Sequence, residues 1–177
     1  MRFLLDANAV LKRYVSEPGS VIVTEVFGAA DSGQASLVYS LWTLGECLGV
    51  LDRLDREGRL PARGLAEASR ALLGETTRLT RLDVLIVVPL GVKLIRRAWD
   101  LLLKHHLYQA DAIQVASALE RRVDILLTTD AQVALAARGE GLRVLDPEQD
   151  EAEIAKALRL RSGSHPRRAV HGRRTRD

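Results

Sequence analysis

FLLDANAVL, residues 3–11, decides how the rest of the chain is read. Phe3, Leu4 and Leu5 form the apolar run of a buried strand, and Ala9, Val10 and Leu11 begin a buried helix. One carboxylate, Asp6, stands at the joint, with no basic residue from 3 to 11 to pair with it. Burying an unpaired carboxylate is costly. The charge therefore needs a reason, and a strand that passes straight into a helix suggests the pattern to look for downstream.

That pattern recurs. Pro18 and Gly19 break the first helix, and Ser20 is placed to cap a second, through about Ala30. Leu37-Val38-Tyr39 reads as a strand, followed by Ser40 as the cap of a helix from Leu41 to about Glu57, which Gly58 ends. Pro61 opens another helix, to about Leu79. Val84 to Val88 is a β-branched strand run. Helices are expected from Gly91 to Leu107 and from Asp111 to about Arg122, then a strand from Val123 to Leu127. Asp130 to Arg138 forms a further helix, closed by Gly139 as its C′ residue. Leu142 to Leu145 is the last strand, and Glu148 to Leu160 a terminal helix.

Five short apolar strands alternating with helices argue for an α/β fold, a parallel sheet covered on both faces. In such sheets the site lies beyond the carboxyl ends of the strands. Asp6 sits where the first strand ends.

Composition bounds the remaining choices. A body of about 150 residues buries roughly 70% of its unfolded surface and needs no staples. The single cysteine, Cys47, excludes an internal disulfide and any Cys-based zinc site, and fits a reducing cytoplasm. Cys47 itself reads as a small buried hydrophobe. No signal-peptide pattern opens the chain, and its most apolar stretch, Val84 to Val92, is far shorter than a membrane span. Residues 1–158 hold 19 Lys/Arg and 22 Asp/Glu, whereas residues 159–177 hold seven Arg and one Asp. The body is mildly acidic; the basic end can add unspecific attraction to a polyanion, the alternative being a disordered extension with no specific role. Three segments are expected: a domain over 1–146, a C-terminal helix over 147–161, and a basic tail of little order over 162–177. His105 and His106 read as surface residues near a helix end, and Arg13, Arg96 and Arg97 as exposed helix arginines. Trp42 and Trp99 read as core or dimer contacts. Asp52, Arg53, Asp55 and Arg56 read as a solvated helix end.

Asp6 has counterparts. Glu46 is the only charge from Ser36 to Leu51, Asp111 the only charge from Leu107 to Leu119, and Asp130 the only charge from Ile125 to Ala137. All four lone charges are acidic. Asp6, Asp111 and Asp130 each stand where a helix begins, and Asp is a favoured N-cap. A cap and a metal ligand are compatible, because a carboxylate has about four lone-pair sites. Glu46 lies inside a helix, where capping cannot explain it. Several acids without matching bases are tolerable around a divalent cation. An all-oxygen donor set selects Mg²⁺ or Mn²⁺ over zinc. Such a site suits phosphodiester hydrolysis by an activated water. No Walker A or G-x-G-x-x-G pattern is present to support nucleotide binding.

These four acids, in this order on a strand–helix alternation, resemble the PIN-domain nucleases, and within them the VapC-type toxins of toxin–antitoxin pairs. The resemblance starts at LLDANAVLKRYVSEPGS (4–20), with Asp6, Asn8 and the Glu17–Ser20 turn. It continues at SLWTLGECLGVLDRL (40–54) with Glu46, is strongest at LYQADAIQVASALER (107–121) with Asp111, and ends at ILLTTDAQVALAA (125–137) with Thr128 and Asp130. It implies a three-layer α/β/α sandwich around a five-stranded parallel sheet. It implies a Mg²⁺- or Mn²⁺-dependent endoribonuclease acting on structured RNA, a homodimer, and a small antitoxin partner. Asp6, Glu46, Asp111 and Asp130 carry over as catalytic, metal-binding acids, with Asn8 and Thr128 as polar supports. A housekeeping RNA-processing nuclease and a catalytically silent PIN module that binds RNA or a partner are the alternatives.

Overall fold

The computed structural model describes residues 1–162, so the expected basic tail lies outside the described residues from position 163 onward. The strands are β1 (Arg2–Leu5), β2 (Ser36–Ser40), β3 (Leu85–Val88), β4 (Ile125–Leu127) and β5 (Val144–Leu145). They form one all-parallel sheet in the order β3-β2-β1-β4-β5. The helices are α1 (Ala7–Leu11), α2 (Ser20–Asp31), α3 (Leu41–Arg56), α4 (Gly64–Arg81), α5 (Val92–His105), α6 (Gln109–Arg121), α7 (Ala131–Gly139) and α8 (Glu151–Ser162).

Alternate strand residues feed opposite faces. Phe3 and Leu5 of β1, with Leu37 and Tyr39 of β2, pack under α1 to α4 and α8 through Val10, Phe27, Leu51, Leu72 and Ile154. Leu4, Val38 and Leu126 face the other way, toward α5, α6 and α7, through Leu94, Ala98, Ile113 and Val133. Each fully buried Leu or Phe contributes roughly 1.5–3 kcal/mol relative to exposure. The result is the expected three-layer α/β/α sandwich, with β1 buried between β2 and β4. Among the described residues no helix is long and apolar enough to cross a membrane.

The C-terminal helix joins the first layer. Lys12, 3% exposed, donates to Glu17 Oε1 at 3.1 Å and to Glu148 Oε1 at 2.5 Å. Gly19 takes φ +81°, and a Cβ there would stand 2.7 Å from the Pro147 carbonyl oxygen. The Glu17–Ser20 turn is thus the seat on which the segment leading into α8 rests.

Several local expectations shift. Gly19, not Ser20, is the N-cap of α2; the Ser20 hydroxyl instead accepts from Glu17 N and donates to Val15 O. Gly139 lies inside α7, and the left-handed residue is Gly141. Arg13 is not a free arginine. It grips Glu75 through Nε and Nη2 at 3.1 and 3.0 Å and stacks 5.3 Å from the Phe27 ring centre. Trp42 and Trp99 are not core, being 41% and 50% exposed.

Candidate active site

β1 ends one residue before Asp6, and β4 three before Asp130. They are neighbouring strands whose crossovers leave in opposite directions, through β2 on one side and β5 on the other. That is the switch point of an open parallel sheet, where a crevice opens between loops. A pocket of about 260 Å³ fills it, lined by Asp6, Asn8, Glu46, Arg53, Asp111, Gln114 and Asp130, among others. A larger depression, about 670 Å³, lies on the outer surface of α4 and is lined by no acid.

Each acid arrives by a different local device. Asp6 is the N-cap of α1, its Oδ1 accepting from Ala9 N at 2.8 Å. Asp130 is the N-cap of α7, its Oδ1 accepting from Gln132 N at 2.7 Å and Val133 N at 3.0 Å. Asp111 is not a cap. Tyr108 holds that position in α6, and Asp111 lies within the first turn with no side-chain hydrogen bond among the described residues. Glu46 projects from the middle of α3 and accepts from Gln114 Nε2 at 3.1 Å.

The electrostatics are those of a crowded anionic site. Asp6 is 5% exposed and has no ion-pair partner among the described residues. Burial pushes its pKa up to about 6, against the hydrogen bonds from Thr128 and Ala9, with Asp130 and Glu46 adding repulsion. Glu46 is raised by burial and by Asp111, with the Gln114 amide and Trp42 indole pulling the other way. Asp111 is raised by burial and by Asp130. The four carboxylates therefore form a closed ring of mutual repulsion, 6–46–111–130. Cys47, beneath this ring, is buried and its thiol is pushed up to about 12, so it offers no thiolate.

The chemistry of this donor set fits a hard divalent cation: oxygen donors only, around one pocket, with surplus negative charge. Among the described residues, no three acidic, histidine or cysteine side chains converge closely enough, as oriented here, to ligate one ion directly. A Mg²⁺-type ion retains several waters, so one or two direct carboxylates suffice, with the others reached through water.

Two polar supports differ in kind. Thr128 is buried and donates through Oγ1 to Asp6 Oδ2, while accepting from Asp130 N at 3.0 Å. Asn8 is exposed on the rim and makes no side-chain hydrogen bond among the described residues. Two lining residues escape a local reading of the sequence. Arg53, which looks like part of a solvated helix end, lies seven residues from Glu46 on the same wall and has no partner among the described residues. Gln114 looks like half of a capping box with Asp111, yet it binds Glu46 instead.

A 3-2-1-4-5 parallel sandwich with acids clustered at its switch point defines a class of α/β proteins whose reactive groups stand on crevice loops. The chain belongs to the PIN-domain family, whose model matches residues 3–139. PIN-domain nucleases are hydrolases. No curated protein sequence matches the chain. Solved structures share its fold. PAE2754 from Pyrobaculum aerophilum has a TM-score of 0.61 at 18% identity, over 88% of this chain and 90% of that one. FitAB bound to the IR36 DNA fragment has 0.60 at 16%, over 83% and 96%. Mycobacterium tuberculosis VapC20, described as a sarcin–ricin loop cleaving toxin, has 0.55 at 17%, over 76% and 94%.

Proposed function

We propose that this chain is a Mg²⁺- or Mn²⁺-dependent endoribonuclease acting on structured RNA in the cytoplasm, and the toxin of a toxin–antitoxin pair. The carrying observation is the ring of four carboxylates around one pocket, with Asp6 buried and lacking any basic partner among the described residues. Asp6, Glu46, Asp111 and Asp130 would hold the ion, directly or through its waters. When bound, the ion makes a coordinated water more acidic and stabilises charge on the phosphate. Asp6 and Asp130 stay fixed through their helix caps, and Thr128 links them. Arg53, which has no partner among the described residues, offers a counter-charge to an RNA phosphate at the rim. Cys47, buried and held as the thiol, takes no part.

The toxin role is supported by the description of VapC20, among the similar folds, as a sarcin–ricin loop cleaving toxin. A small antitoxin is the partner expected to cover the pocket. Homodimerisation is supported by the outer stripe of α5, where Val92, Trp99 and Leu103 are exposed on one face.

The test incubates the purified chain with a panel of structured RNAs and Mg²⁺ or Mn²⁺. The wild type cleaves, EDTA abolishes cleavage, and Asp6→Asn and Asp111→Asn each lose it by more than roughly 100-fold with circular dichroism unchanged. Metal-independent cleavage, or full activity in both variants, rules the mechanism out. RNA binding without cleavage in any metal leaves a silent binding module. Growth arrest on expression, relieved by a small neighbouring gene product, separates a toxin from a housekeeping nuclease.

A further inference from the structure

Gln114 is 3% exposed and joins two parts of the molecule that its sequence neighbours do not. Its Oε1 lies 3.0 Å from Thr43 Oγ1 and 3.3 Å from Ser40 Oγ, within reach of either hydroxyl proton. Those hydroxyls lie 2.9 Å apart, and Ser40 Oγ also accepts from Thr43 N at 3.0 Å, as the N-cap of α3. Ser40 and Thr43 are both fully buried. Whichever hydroxyl donates to the other, one proton is left for Gln114 Oε1. The amide oxygen therefore faces the hydroxyls, and Nε2 faces Glu46 Oε2 at 3.1 Å. The reversed amide would set its oxygen against a carboxylate oxygen and is excluded by repulsion.

The consequence is directional. A neutral donor pins one oxygen of Glu46, leaving the other to the pocket. A lysine or arginine in this place would neutralise Glu46 and compete with any cation. Glutamine orients the acid and leaves its charge intact. Ser40 ends β2, so the relay ties the acid's direction to the sheet itself.

We propose that Gln114, fixed by Ser40 and Thr43, is a positioning residue that aims Glu46 and thereby sets the site's divalent-ion affinity and turnover. This rests on the reading of Glu46 as an acid of the metal site. The test is a double-mutant cycle on the full chain, with Mn²⁺ affinity measured by titration calorimetry for wild type, Gln114→Met, Glu46→Gln and the double variant. Each single variant should bind Mn²⁺ roughly 10-fold more weakly, and the double no more weakly than Glu46→Gln alone. On RNA, Gln114→Met should lower kcat while leaving KM near wild type. Thr43→Val, nearly isosteric, frees one side of the amide and should give a smaller loss of the same kind, which keeps the test usable if Gln114→Met folds poorly. Wild-type affinity in Gln114→Met and Thr43→Val, or losses that add to that of Glu46→Gln, would overturn the positioning role alone. Wild-type affinity in Glu46→Gln would overturn the metal reading of Glu46 and this inference with it.

Discussion

The Thr128 hydroxyl, in the loop after β4, donates to the Asp6 carboxylate at the end of β1, across 122 residues of sequence. The same oxygen receives the Asp130 backbone N–H. One side chain thus fixes the spacing of two pocket acids. Thr128→Val keeps the shape but strands a buried carboxylate oxygen and an N–H. It should cost about 2 kcal/mol in urea denaturation, whereas Thr128→Ser should cost much less. Equal stability of the valine variant and wild type would contradict the bridge.

Asp6 also gives the apoprotein a pH signature. Its pKa in the fold is about 6 against an ordinary 3.8, so the folded state holds the proton more tightly than the unfolded state. Its ionisation is therefore destabilising: the contribution is intact below about pH 4 and is lost as pH rises through about 6. The difference is on the order of 3 kcal/mol. In EDTA, Asp6→Asn should gain on wild type by that order between pH 4 and pH 7.5. Parallel stability curves for the two proteins would show that Asp6 does not titrate as its burial dictates.

Metal should reverse that loss. At pH 7.5, Mn²⁺ at a hundredfold excess over its Kd should stabilise wild type by about 2.7 kcal/mol, read as a rise in Tm of several degrees. The rise should shrink below pH 6, where Asp6 is protonated, and vanish in the Asp6→Asn/Asp111→Asn double variant. A rise that persists in the double variant places the ion elsewhere.

Much of this was legible in the sequence. Strand–helix alternation gave the sandwich because apolar periodicity is a local signal, and the sparse acids marked the pocket because each lacked a nearby base. What escaped is long-range. Gln114 lies 68 residues from Glu46, and Glu148 lies 136 from Lys12. No local pattern couples such positions. Asp111 reads as a cap only because the preceding helix was expected to run to Leu107. In the structure α5 stops at His105, with His106 left-handed, and α6 begins two residues before Asp111. Arg53 is exposed like its charged neighbours, and only its place on the pocket wall sets it apart from them.

Lys12 illustrates the energetic side of such a pairing. Lys12→Met removes a buried charge but leaves Glu17 and Glu148 without their shared partner. Both glutamates are partly exposed, so solvent softens the loss to about 1–3 kcal/mol. Hydrogen exchange should show α8 losing protection before the sheet does. Uniform loss across the chain would argue that α8 is not a separable unit.

For the outer stripe of α5, sedimentation supplies the check. Wild type should sediment as a dimer at micromolar concentration, and Trp99→Glu, a half-exposed position that costs the monomer little, as a monomer. A monomeric wild type removes the support drawn from this stripe.

The central place of β1 carries a consequence for synthesis. During synthesis β1 gains one neighbour by residue 40, but its other neighbour, β4, begins only at Ile125. Until then β1 presents an open edge, and Asp6 lacks both Thr128 and Asp130. A translation product cut short between Asp111 and Asp130 therefore carries three of the acids but no assembled pocket. The crevice gathers all four acids only after synthesis has passed Asp130.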